Sequence, residues 1–99
     1  MATKKLTEEE IKSKIEAFIL NNGLTFKEGR RNSDTVILSG YALYLGFDKS
    51  SSKLSDYIDN VLEHAEYTLA EFHNTFEYAK YCDYGNWWKK AENRKQYKV

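Results

Sequence analysis

Proline is absent from this chain of 99 residues, cysteine and methionine occur once each, and glycine occurs only five times. Without proline, no segment is barred from a helix interior or a central strand on that ground. The single cysteine, Cys82, excludes an internal disulfide and the paired-cysteine zinc patterns, and suits a reducing compartment. Its position suggests a partly buried thiol on a last helical turn. The glycines stand singly, so there is no Gly-rich or Gly-Lys-Ser/Thr phosphate cradle. Long apolar runs are missing too. Ala17-Phe18-Ile19-Leu20 falls far short of the roughly 20 residues that a spanning helix needs. Met1 to Lys5 is followed by Leu-Thr-Glu-Glu-Glu, so no signal peptide is expected, and the expected location is the cytoplasm.

Histidine is scarce as well. His64 and His73 face different sides of any helix that carries both, and the residues three before them are Val61 and Ala70. The Glu-x-x-His and His-Glu-x-x-His metal patterns therefore fail. The expectation is no catalytic residue, no metal site, no cofactor and no enzyme activity.

Apolar residues form 41% of the chain, enough for one core, and the length fits a single domain over residues 1–99. Lysine outnumbers arginine twelve to three, as an A/T-rich coding sequence tends to produce. A low-GC bacterium or its phage is the expected source, and the cytoplasm that of a bacterium or a phage-infected cell. The net charge of zero conceals a segregation. Residues 1–47 carry +1 (seven basic, six acidic), 48–83 carry −5 (three and eight), and 84–99 carry +4 (five and one). Segregated charge bears on partners or on intramolecular docking, not on fold.

Leu6-Thr7-Glu8-Glu9-Glu10-Ile11 has the signals of a helix start. Thr7 and Glu10 can form a capping box, with Leu6 and Ile11 as the hydrophobic staple. Ile11, Ile15, Phe18 and Ile19 then define one buried face, and Gly23 ends the helix in a left-handed conformation. From Leu24 to Phe47 the pattern reads as strand. Thr35-Val36-Ile37-Leu38 is β-branched and apolar, and Tyr41, Leu43, Leu45 and Phe47 alternate onto one face. A meander of three antiparallel strands fits, as does one long strand over 35–47 bulged at Gly40. Leu54, Ile58, Val61, Ala65, Leu69, Phe72, Phe76 and Ala79 recur by threes and fours, which predicts a long amphipathic helix. Such a helix would run roughly 40 Å, so it either overhangs the sheet or divides near Thr68. An overhanging stripe would need the C-terminal segment or a second protomer. A short helix closes the chain after Tyr84-Gly85-Asn86. The predicted class is α+β: an N-terminal helix, a small antiparallel meander of two or three strands, a long amphipathic helix and a short C-terminal helix.

Three surfaces are candidates for binding. Asp56, Asp59, Glu63 and Glu66 are spaced to align along one helix face, either as a solvated face or as a docking strip for a basic surface. Trp87, Lys89, Lys90 and Arg94, with Trp88, Lys95 and Lys98, interleave aromatics and cations. They can stack bases and neutralise phosphates, or they can lid the core and clamp it to the acidic segment. Trp88 shares a helical face with Tyr84 and Ala91 and is expected inside, with Trp87 outside. Arg30 and Arg31, on the expected hairpin tip, could contact phosphates. The expected function is a small interaction protein that binds a larger macromolecule, above all a protein, as an inhibitor or regulator of host machinery would. A nucleic-acid-binding module and a homodimer are the alternatives, and no membrane partner is expected. Thr7→Ala should lower stability by about 1 kcal/mol through loss of the cap, read by thermal unfolding; an unchanged midpoint would misplace the helix start.

Overall fold

The computed structural model describes residues 5–99, and the signal-peptide reading made on Met1 to Lys5 falls, for residues 1–4, outside that range. The elements are α1 Glu8–Asn21, α2 Arg31–Leu45, α3 Ser51–Val61, α4 Leu69–Tyr81, α5 Tyr84–Trp87 and α6 Ala91–Arg94. Among the described residues there is no strand, so the α+β class and the meander are wrong and the fold is all-helical. No helix among them is long and apolar enough to cross a membrane.

Helix α1 forms as its sequence dictates. The Thr7 hydroxyl accepts from the Glu10 amide at 3.2 Å, and the Glu10 carboxylate accepts from the Thr7 amide at 2.9 Å. Ile11, Ile15, Phe18 and Ile19 are all buried. Gly23, at φ +64°, lets Leu24 N–H reach back to the Ile19 carbonyl at 3.1 Å and close the helix.

Helix α2 replaces the expected sheet, and its buried face explains the misreading. That face comprises Asp34, Thr35, Leu38, Ser39, Gly40, Tyr41 and Ala42, which is helical in spacing but largely polar or small. A hydrophobic-period reading sees instead the β-branched run before Leu38 and the alternation after Tyr41. Tertiary packing overrides those local preferences. Gly40 makes no bulge. It is the point of closest approach between α2 and the C-terminal segment, where an added Cβ would lie 2.9 Å from Trp88 Nε1. Gly85 does the same from the other side, 3.1 Å from the Leu43 Cβ.

The expected long helix is two helices. The break lies between Val61 and Leu69, and Thr68 caps α4 with a second capping box to Glu71. Phe72 and Phe76 are buried in the same core as α1 and Ala79 is buried as well, whereas Leu69 stays half exposed, so the expected stripe is divided between core and surface rather than overhanging as one. The connecting residues turn inward: Leu62, Ala65 and Tyr67 all pack on the core. Ser51 Oγ and His73 Nδ1, 2.7 Å apart, fasten the start of α3 to α4.

Between α1 and α2 the chain adopts its most unusual backbone. Phe26 is fully buried with φ +55°, a region that costs a bulky side chain free energy. The buried carboxylate of Asp34 offsets this cost. Its Oδ2 accepts from Thr25 N–H at 2.9 Å and from Phe26 N–H at 3.0 Å. Its Oδ1 has no hydrogen bond, though the Arg30 guanidinium lies 3.6 Å away. The Phe26 carbonyl in turn accepts from Glu66 N–H at 2.8 Å, which ties the α1–α2 loop to the α3–α4 loop.

Asp34→Ala would leave two amides, one buried and one part-buried, without their acceptor and release the Phe26 turn. It should destabilise the protein by on the order of 3 kcal/mol in denaturant unfolding. A variant as stable as the parent would mean that the loop is held by packing alone.

Candidate functional site

The acidic row does not exist as a row. Helix α3 ends at Val61, so only Asp56 and Asp59 share a helix, and both are exposed. Glu63 lies in the connection with its carboxylate 3.9 Å from His64 Nε2. Glu66 is occupied structurally: its Oε1 accepts from Glu28 N–H at 2.7 Å and its carbonyl accepts from the Arg31 guanidinium at 3.0 Å. Asp56 and Asp59 do border a polar hollow of about 390 Å³ with Ser55, Tyr67 and Leu69. Burial, followed by the charges of Asp59 and Asp56, pushes the Tyr67 hydroxyl above its ordinary pKa, against the opposing hydrogen bond with Ser55. Arg31 also reaches Glu71 at 3.5 Å, so it is a structural tie rather than a free phosphate contact.

The C-terminal surface is assembled differently. Left-handed Asp83, at φ +54°, turns the chain out of α4 so that α5 lies across α2. Trp88 points inward, 2% exposed, and Trp87 outward, 38% exposed, as their spacing suggested. The two rings meet edge to face with centroids 5.2 Å apart. Trp88 is seated against Phe18 and Tyr41, at 5.5 and 5.3 Å, and Tyr97 covers it from the tail side at 4.9 Å. Truncating a ring so deeply packed costs about 3–5 kcal/mol.

Val36 and Ile37 of α2 face Tyr84, Trp87, Trp88 and Tyr97 across an open apolar pocket of about 160 Å³. An apolar void of roughly 150 Å³ accepts a benzene-sized group. Sequence reasoning missed Val36, Ile37, Tyr84 and Tyr97 as lining residues. With 35–47 read as strand, nothing placed α2 opposite the tryptophans. Tyr84 also meets Tyr78, a half-exposed ring of α4, at 6.0 Å, which extends the aromatic surface beyond the pocket. Cys82 is exposed at the end of α4, not partly buried as its position suggested.

The tail is a clamp, but not an electrostatic one. No ion pair among the described residues joins it to the acidic segment. Asn22 holds it instead, donating from Nδ2 to the Lys98 carbonyl at 3.0 Å and accepting Lys98 N–H on Oδ1 at 2.8 Å. Arg94 is spent internally: it donates to the Trp88 carbonyl at 2.6 Å and lies over the Tyr44 ring. Lys89 and Lys90 are exposed. Among the described residues, no group of three or more His, Cys, Asp and Glu could hold a metal ion.

Removing residues 95–99 takes away Tyr97 and the Asn22 partner. The emission of Trp88 should shift to the red as water reaches its ring, and the midpoint should fall, whereas Asn22→Ala alone should reproduce only part of the change. Unaltered emission after truncation would mean that Tyr97 does not cover Trp88. Comparison with protein-family models, with curated proteins and with solved structures finds no match for this chain.

Proposed function

We propose that this protein is a small, non-enzymatic interaction protein that presents the groove between α2 and α5 to a larger protein partner. The observation that carries this reading is Trp87, held 38% exposed beside an apolar pocket of about 160 Å³. Exposed apolar surface that is continuous with a pocket, rather than scattered singly, marks interaction sites. Tryptophan is also among the residues that dominate binding energy at interfaces, above all where it borders a pocket that a partner side chain can fill. The walls from α2 and α5 come from packed elements: Gly40 and Gly85 set the crossing of the two helices, and the buried Trp88 anchors the pocket floor. A preformed groove of this kind loses little conformational entropy when occupied.

The test is affinity capture from the native cell with wild-type protein and Trp87→Ala in parallel. One stoichiometric protein partner should be retained by the wild type. The variant should lose it, with affinity lowered by roughly 2 kcal/mol or more and the unfolding midpoint unchanged. A partner retained equally by Trp87→Ala would remove the groove as the binding site.

A further inference from the structure

We infer that the segment occupying the groove is acidic: a peptide stretch of the partner that seats one apolar side chain in the pocket and flanks it with carboxylates. This rests on the groove being the binding site and adds the chemistry of what fills it. Two pocket walls are followed directly in the chain by lysines, Trp88 by Lys89 and Lys90, and Tyr97 by Lys98. Lys89, Lys90, Lys95 and Lys98 are all exposed, and none has an ion-pair partner among the described residues. Arg94, by contrast, is folded back onto Trp88 and Tyr44. Unpaired cations therefore adjoin, in the chain, two wall residues of a pocket that is itself aliphatic and aromatic, and Lys98 lines a separate hollow with Lys14, Phe18 and Tyr41. The −5 segment, which could have neutralised them, does not pair with them. An acidic ligand supplies the missing counter-charge, and complementary charge of this kind selects partners and steers their approach.

The pocket distinguishes such a peptide from a nucleic acid, which would also bring negative charge. A nucleobase carries donors and acceptors around its edge, and a pocket of this composition would strip their water while offering few partners. A leucine or phenylalanine side chain has no such groups. The pocket volume suits one side chain of that size.

The probes are two synthetic peptides with a central leucine, one flanked by glutamates and one by lysines, titrated into the full chain and followed by tryptophan emission and calorimetry. The glutamate peptide should bind, with affinity at least roughly tenfold above the lysine peptide and falling as salt rises. Replacing its leucine by serine should abolish binding, as should Trp87→Ala. The K89E/K90E variant should reverse the preference between the two peptides. Equal binding of both peptides, or displacement of the glutamate peptide by an oligothymidylate, would overturn the inference. The native partner separates the two claims. If K89E/K90E retains it and Trp87→Ala does not, the groove stands and its acidic occupant falls; if both variants retain it, the groove itself falls.

Discussion

The fold depends on a buried carboxylate that allows one phenylalanine to sit in a left-handed turn. Asp34 enters from the first turn of α2 and accepts the amides of Thr25 and Phe26 on a single oxygen. With those amides satisfied, the chain can reverse within a few residues of α1 and still drive the Phe26 ring into the core. The Phe26 carbonyl then accepts from Glu66 N–H within the non-helical residues 62–68. One side chain of α2 thus holds the turn that follows α1, which Gly23 has already closed, and through Phe26 that turn is joined to the break between α3 and α4. Arg31, reaching the Glu66 carbonyl and the Glu71 carboxylate, reinforces the same junction from outside.

Legibility in the sequence follows from how local each determinant is. The start of α1 is written in six consecutive residues, and a capping box needs nothing from elsewhere. The inward Trp88 and outward Trp87 are likewise a matter of neighbouring positions on one turn. Helix α2 is not legible in this way, because the residues it buries are selected by what they touch: Asp34 by two amides of the preceding loop, Gly40 by an indole ring far along the chain. Neither choice leaves a hydrophobic trace. The division of the long helix was half legible. Thr68 and Glu71 repeat the pattern of Thr7 and Glu10, but an apolar period running unbroken across the junction conceals it, since Val61 at the end of α3 and Ala65 in the non-helical connection both pack on the core.

The site inherits the same difficulty. Its tryptophans and lysines come from one short segment and could be named from sequence, whereas the opposing wall of Val36 and Ile37 exists only because α2 is a helix lying under α5. The acidic residues show the converse. A regular spacing aligned four carboxylates on paper, and the end of α3 separates them, leaving Glu66 as a structural acceptor and Asp56 and Asp59 at a different hollow.

The pairing of Asn22 with the Lys98 backbone joins positions 76 apart in the chain. In an unfolded chain, closing a loop of that length opposes contact by roughly 4 kcal/mol of entropy, more than two exposed hydrogen bonds return. Once α5 has docked on α2, only the short stretch beyond Trp88 remains to be ordered, and the cost falls accordingly. The clasp therefore belongs late on the folding path. By microscopic reversibility it is the part that opens first from the native state, releasing the tail while the helices stay packed. The covered ring of Trp88 then borders a segment with its own local opening equilibrium. Amide exchange at the C-terminal end should run well ahead of exchange in α1 and α2.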